Sequence, residues 1–240
     1  MYAMKLQNGE YIREHFTQIA STNEYIKTRR ADKQNLIVTA DEQTGGKGTK
    51  GRSFSSEQGG VYLSMLTFYQ DFPAARAFEI MKSAATAVCE TLVFFGLSPR
   101  IKWPNDVFVG GKKICGILIE NSLSGANISS SIVGVGLNVH NALPQDLQAI
   151  ATTMQTQKQE KISVGEVRET LLHFLCADKV GERYEQYLGW LGEKAEILVG
   201  DARFPVTLQS VDDEGCLWVE MQGEHRRFAA AEVSILVENE

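Results

Sequence analysis

The stretch IKWPNDVFVGGKKICGILIEN, residues 101–121, contains two different backbone instructions. Pro104 fixes its own φ and restricts Trp103 before it, so WPND makes a rigid corner. That corner presents Lys102, Asn105 and Asp106. Gly110-Gly111 then reads as a tight turn between two strands, because paired glycines accept the positive φ that hairpin turns need. The second arm, KKICGILIE, is an apolar strand with Lys113 at its start. Asn105 and Asp106 could hold Mg²⁺ or ribose hydroxyls, but Asn-Asp after proline is also ordinary turn chemistry. A lone lysine at a strand start is most often simply solvated.

Working outward, EYIREHFTQIA reads as a strand and STNEYIKTRR as a short helix, with Ser21 and Glu24 spaced as a capping box. NLIVTAD and VYLSMLTFY are buried-type strands. AARAFEIMKSAATAVCETLVFFG carries apolar residues at helical spacing, and Gly96 suits its end. SLSGANISSS is expected to be a polar loop and SIVGVGLNVH a strand. Ser163 and Glu166 form a second capping-box candidate, opening a helix expected to run to about Trp190. From there to the C-terminus the chain reads as short strands split by turn signals such as DDEG and QGEH, a small β-barrel. These elements predict an α+β fold: a mixed-sheet domain over 1–190, then a small all-β domain over 191–240.

Between two of the strands lies GGKGTKGRSFSSEQGG, residues 45–60, with six glycines and the cations Lys47, Lys50 and Arg52. Glycines let backbone N–H groups approach a ligand closely, and the cations complement phosphate or carboxylate. It is not a P-loop, because Gly48 follows Lys47 and a strand, not a helix, comes next. A flexible linker is the plain alternative, although linkers favour serine over clustered cations. In GVGLNVH, residues 134–140, Gly134 and Gly136 would let something lie flat on the strand, and Asn138 offers both donor and acceptor. Close packing of another strand would explain the same glycines.

Composition narrows the class. The chain has 240 residues, is 43% hydrophobic and 22% charged, and carries a net charge of −6. A general electrostatic grip on nucleic acid is not expected. Four cysteines without CxxC spacing argue against a zinc site and for reduced, cytoplasmic thiols. No apolar run has the length of a membrane span, and no secretory leader is evident.

Taken together, Ser21-Thr22-Asn23, GKGTKGR, KWPND, KICGILIE and GVGLN stand in an order that resembles the biotin protein ligases, the biotin–[acetyl-CoA carboxylase] ligase family. The resemblance covers nearly the whole chain. It implies a biotin/lipoate ligase-like catalytic domain followed by an SH3-like barrel. It also implies a reaction: biotin and ATP give biotinyl-5′-AMP, and biotin then passes to a lysine of a biotin carboxyl carrier protein. By matching position, Ser21, Thr22, Asn23, Gln43, Gly46, Lys47, Lys113, Gly116 and Gly134 would hold biotin. Gly48, Thr49, Lys50, Phe54, Asn105, Asp106 and Asn138 would lie towards the nucleotide. Lys113 and Arg52 would act in catalysis, with Mg²⁺ as cofactor and Asp106 as its candidate ligand.

The family's two loop arginines stand here as Lys47 and Thr49. Lysine keeps charge but loses the bidentate fork, and threonine loses the charge. Both changes bear on how tightly the loop closes rather than on the reaction. Because the first strand begins about a dozen residues from Met1, a ligase without a DNA-binding helix-turn-helix is expected. The rival readings are a lipoate ligase or octanoyltransferase and a non-catalytic biotin sensor. A cysteine-dependent transferase would need a cysteine beside the lysine. Strand alternation puts Cys115 on the same face as Lys113, although Cys115 reads more simply as core.

Overall fold

The computed structural model describes residues 2–6 and 9–236. Eight strands form its larger sheet: β1 (Tyr2–Leu6), β2 (Gly9–Ile19), β3 (Leu36–Gln43), β4 (Val61–Pro73), β5 (Arg100–Lys102), β6 (Asp106–Val109), β7 (Lys112–Ser124) and β8 (Asn127–Leu137). Their order in space is β1-β2-β3-β4-β8-β7-β6-β5. β2 and β3 run parallel, and the other neighbours are antiparallel. A parallel pair needs a crossover, and α1 (Thr22–Thr28) lies within it. Ser21 caps α1 by accepting the Glu24 N–H at 3.3 Å. The Glu24 carboxylate itself turns to Lys27 at 2.9 Å.

The two faces of this sheet differ. On one, Ile37, Leu63, Met65, Cys115, Ile117, Val133 and Val135 form the main core with α2 (Ala77–Phe94) and α4 (Val164–Leu175). Helical spacing of Ile80, Ala84, Val88 and Leu92 explains why α2 buries that side. On the other face, α1 covers only part of the sheet, through Ile26 packed with Leu36, Val38, Leu66 and Ile132. The uncovered part is where Ser64 pairs with Gly134, Tyr62 with Gly136, and Gly116 with Gly136. Strand alternation therefore brings a serine and three glycines to one patch, and the missing side chains leave a trough.

Two expectations are corrected here. SLSGANISSS is not a loop: β7 and β8 run to Ser124 and Asn127, leaving a turn around Gly125. Serines are accommodated here because β4 also pairs along β8 and the Ser129 and Ser131 hydroxyls bond across to β7. The helix from Ser163 stops at Leu175, and the chain continues through a 3₁₀ turn (Val180–Arg183) and the short α5 (Tyr184–Tyr187). Its break lies where Lys179 takes a positive φ of 54°. Between β8 and α4 lies the short α3 (Met154–Lys158).

The second sheet contains β9 (Lys194–Val199), β10 (Ala202–Val211), β11 (Leu217–Met221), β12 (Glu224–Phe228) and β13 (Val233–Leu236), in the order β12-β11-β10-β9-β13. Its core is Ile197, Val206, Leu208, Leu217, Val219, Met221, Val233 and Ile235. This is the small C-terminal β unit expected from the turn spacing. Among the described residues its ladder is open between β12 and β13. Trp103 of the KWPND corner belongs to this second core, not the first, and its indole N–H donates to the Gly215 carbonyl at 3.0 Å.

Candidate functional site

The trough is one wall of a narrow cleft. Ser21, Thr22 and Asn23 reach it from the start of α1, Gln43 from the end of β3, and Lys47, Gly48, Thr49 and Phe54 from the glycine-rich loop. Asn105 and Asp106 come from the corner, Lys113 and Gly116 from β7, and Gly134 from β8. Side chains more than a hundred residues apart in the chain thus converge on one cleft. A second cavity adjoins it, sharing Gly48, Thr49, Phe54, Asp106 and Lys113, and adds Arg52, Lys102, Phe108, Asn138, Leu143, Leu147 and Ile150.

The loop is a small hairpin, not a linker. Lys47 bridges Ser53, the Gly48 N–H donates to the Arg52 carbonyl at 2.7 Å, and the Phe54 N–H donates to the Gly46 carbonyl at 3.0 Å. Gly46 is buried and lines neither cavity. Its expected contact with a ligand gives way to a structural reason for glycine: a Cβ there would collide with the Phe54 carbonyl and the Ser56 hydroxyl. The hairpin lays Phe54 over the bare strands. A Cβ on Gly136 would fall 2.5 Å from the Phe54 ring, and one on Gly116 3.3 Å from it. What packs on Gly136 is therefore Phe54, which lines both cavities, while Gly134 faces the Asn23 amide. The Lys50 side chain lies outside the described structure.

Lys113 reaches the junction because β7 is irregular. Val107 pairs with Cys115 but Phe108 with Lys113, so Ile114 is an extra residue. Such a bulge re-aims the side chains around it. Ile114 and Cys115 both enter the core, while Lys113 meets Asp106 at 2.7 Å on the cleft side. The expectation that Lys113 and Cys115 share a face fails at this bulge. The Lys113 main chain is held as well, donating to the Ile150 carbonyl and accepting from the Thr152 N–H, each at 2.9 Å.

The asparagines divide into two kinds. Asn105 donates to the Ile117 carbonyl at 2.8 Å and ties the corner to β7. Asn138 donates to the Thr152 carbonyl and accepts from Asn141, both at 3.2 Å, which shapes the wall of the second cavity. Asn23 is different: 5% exposed, it lines the first cleft, and neither of its amide atoms has a partner among the described residues. A buried amide left unpaired costs about 1–3 kcal/mol, which a ligand in the cleft would relieve.

Three cations surround the second cavity: Arg52, Lys102 and Lys113. Burial pulls the Lys102 ammonium below its ordinary pKa; Asp106 opposes this, and Lys113 and Arg52 reinforce it. A site that holds its own cations at such a cost suits a polyanion. Among the residues lining that cavity Asp106 is the single carboxylate, and no cluster of three metal-ligating side chains occurs among the described residues.

Sequence reasoning placed Lys102 at the corner without giving it a partner, and it missed Ser64, Ser56 and the Leu143–Leu147–Ile150 wall. Ser64 had a signal, as the single small polar residue inside VYLSML. The wall had none, because Leu and Ile in a coil look like any minor core.

A family model for the biotin/lipoate A/B protein ligase family matches residues 15–138. The bifunctional ligase/repressor BirA of Bacillus subtilis is 30% identical over 219 residues, covering 84% of this chain and 66% of that protein. This chain thus spans just under two thirds of that relative's length. The biotin–[acetyl-CoA-carboxylase] ligase of Paracoccus denitrificans is 36% identical over 126 residues, 51% of this chain and 52% of that one. In fold, the chain is similar to the biotin protein ligase of Aquifex aeolicus solved with biotin and ATP, at a TM-score of 0.73 and 24% identity over 93% of this chain and 98% of that one. The matched segment runs from the first long strand through GVGLN, and so takes in every motif that meets at the cleft: the chain belongs to the biotin/lipoate A/B protein ligase family.

Proposed function

We propose that the protein activates biotin with ATP and transfers it to a lysine of a biotin carboxyl carrier protein. The observation that carries this reading is the Lys113–Asp106 pair, which stands where a small polar cleft meets a larger cation-lined cavity. The first cleft has the few fixed polar groups and apolar walls that a bicyclic urea needs. The second offers cations for a triphosphate and apolar faces, Phe54, Leu143 and Ile150, for a base. In the first step a biotin carboxylate oxygen attacks the α-phosphorus, and the bond to the β-phosphate breaks to release pyrophosphate. Lys113 and Arg52 offset the charge that builds on the phosphoryl oxygens. In the second step a carrier lysine amine attacks the acyl carbon; AMP leaves and the amine loses a proton.

Mg²⁺ suits this site through one carboxylate and the phosphates, the common pattern for that ion, and Asp106 is the residue that would hold it. It would neutralise triphosphate charge. A cytoplasmic setting agrees with four free cysteines. No helix among the described residues is long and apolar enough to cross a membrane. We further propose that residues 1–190 and 191–240 form the two functional units.

The relatives' names favour biotin over lipoate or octanoate. A cysteine-dependent acyl transfer is disfavoured independently: Cys115 is fully buried in the core, and burial raises its thiol pKa far above the reactive range. The decisive measurement is biotin-dependent exchange of labelled pyrophosphate into ATP. Exchange driven by lipoate or octanoate instead of biotin would remove the assignment, and biotin binding without exchange would leave a sensor.

A further inference from the structure

A cavity of about 230 Å³ lies on the face of the large sheet opposite the first cleft. Met65 and Val133 line it, and each is the chain neighbour of a residue that lines the cleft, Ser64 and Gly134. Strand alternation turns one member of each pair to either face. Ile80, Ser83 and Ala84 of α2 cover the cavity, and the exposed Asp178 and Lys179, beyond the end of α4, stand at its mouth. None of these residues serves the reaction proposed above.

Met65, Phe72, Ile80, Val133 and Leu175 make most of the wall apolar. Into it reach the hydroxyls of Tyr11, Thr67 and Tyr69. Tyr11 Oη and Thr67 Oγ1 lie 2.8 Å apart, and Tyr69 turns its hydroxyl towards Ser131 and Thr67. Two hydroxyls that share one bond keep one proton to give, whichever of them donates, and lone pairs to accept. Tyr11 is 0% exposed and Thr67 4%, so that capacity is best met by a partner inside the cavity. Charge is settled at the rim: Glu79 is held by Arg76 at 2.6 Å and Lys179 by Glu182 at 3.7 Å. Lys179 is the single cation among the lining residues, so an anion finds no unpaired charge there.

We infer that this cavity is a second binding site, for a neutral single-ring aromatic alcohol of the phenol class. An apolar cavity of about 150 Å³ holds benzene, so this one has room for one ring and a substituent. The ring lies among the apolar side chains, and the ligand hydroxyl completes the Tyr11–Thr67 pair. The same ring without a hydroxyl leaves that pair unmet, and a charged ring gives up its hydration without gaining a counter-ion. The site is independent of the activity proposed above.

Cys176 reports on the site. It lines the cavity and is half-buried, whereas Cys89, Cys115 and Cys216 are buried. Burial pushes its thiol up to about 11, so labelling with a maleimide is followed at mildly alkaline pH and mapped by peptide mass. Phenol should slow the labelling of Cys176, with a midpoint about 3–10-fold lower than that of benzene; benzoate and benzylamine should give little protection. Thr67→Val, which removes one hydroxyl at nearly constant shape, should abolish the advantage of phenol over benzene while benzene still protects. Melting establishes that this variant is folded, and Tyr69→Phe carries the same comparison if it is not. Four results would each overturn the proposal: no labelling of Cys176 in the free protein, no protection by phenol, equal protection by benzene or a charged ring, or an advantage of phenol that survives the loss of the hydroxyl.

Discussion

At the scale of single residues, the bulge at Ile114 decides which side chains reach the chemistry. Without that extra residue Lys113 would share a face with Cys115 and point into the core. With it, Lys113 stands over Gly116 beside Asp106. Lys113→Gln keeps much of the length and removes the charge. Loss of one preorganised contact to the transferring phosphoryl group typically costs about 2.7–4 kcal/mol, roughly 10²–10³ in rate. Pyrophosphate exchange at the wild-type rate in folded Lys113→Gln would remove Lys113 from catalysis. Lys102 gives a second prediction, in pH. Its folded pKa is lowered, first by burial, so as pH rises it loses its proton earlier than an exposed lysine. The neutral amine no longer attracts a triphosphate, so the KM for ATP should rise on the alkaline side while the KM for biotin does not. Stability moves the opposite way: a lysine with a depressed folded pKa destabilises the fold when charged, and this penalty fades as pH rises through that pKa. Lys102→Arg, which stays charged, should keep the KM for ATP level across the range; an alkaline rise that persists in this variant has another origin.

At the scale of elements, the loop 45–60 is a hairpin held over the bare strands by close contacts. Gly46 lets its two arms approach, and Gly136 lets Phe54 lie on β8. Thr49 lines both cavities, and its hydroxyl and carbonyl accept from Arg52 at 3.3 and 3.4 Å. A biotinyl-adenylate is a mixed anhydride that any amine or water can attack, so under the proposed function its retention would depend on the loop. Thr49→Arg restores the cation that the family resemblance leads one to expect. One charge-assisted hydrogen bond is worth about 1.5–3 kcal/mol at most, so release of preformed biotinyl-AMP should slow by up to roughly a hundredfold, with adenylation little changed. Single-turnover release without carrier measures it. Release as fast as wild type would show that position 49 has no part in retention.

At the scale of the molecule, the two sheets are joined through the KWPND corner. Trp103 sits in the second core with its indole bonded to Gly215. Arg100 pairs with Glu193 at 2.6 Å, and Phe108 meets Trp190 edge-on at 5.6 Å. The C-terminal unit thus grips the strand that carries Lys102 and the ring that lines the second cavity. Trp103→Phe keeps an aromatic ring but is smaller and leaves the Gly215 carbonyl unpaired, the latter alone a cost of about 1–3 kcal/mol. The urea midpoint should fall accordingly, and the KM for ATP should rise more than that for biotin. An equal rise in both would mean that the C-terminal unit does not act selectively on the nucleotide side. Inside that unit, burial works against the Asp212 carboxylate, but Arg227 with the Cys216 N–H and the Trp218 indole outweighs it and holds the pKa at about 2. Its stabilising effect is therefore complete above the ordinary aspartate range and is lost as pH falls through about 2. Asp212→Asn should flatten the acid limb of the melting-temperature profile; an unaltered acid limb would show that other carboxylates govern it.

Much of this protein is local chemistry and was legible from the chain. The caps at Ser21 and Ser163, the Gly110-Gly111 turn and the spacing of α2 each depend on a few neighbouring residues, so the sequence by itself determined them. So were the motifs that meet at the cleft, because they combine residue types that short-range structure has no use for. Three things belonged to tertiary structure alone. The bulge that turns Lys113 away from Cys115 arises from pairing with β6, which alternation within one strand does not encode. The assignment of Trp103 to the second core depends on a contact 112 residues away. The hydrogen-bonded chain of Ser64, Thr22, Gln43 and Ser56 exists only because α1, β3, β4 and the loop meet, for a hydroxyl has no direction until its partners are fixed.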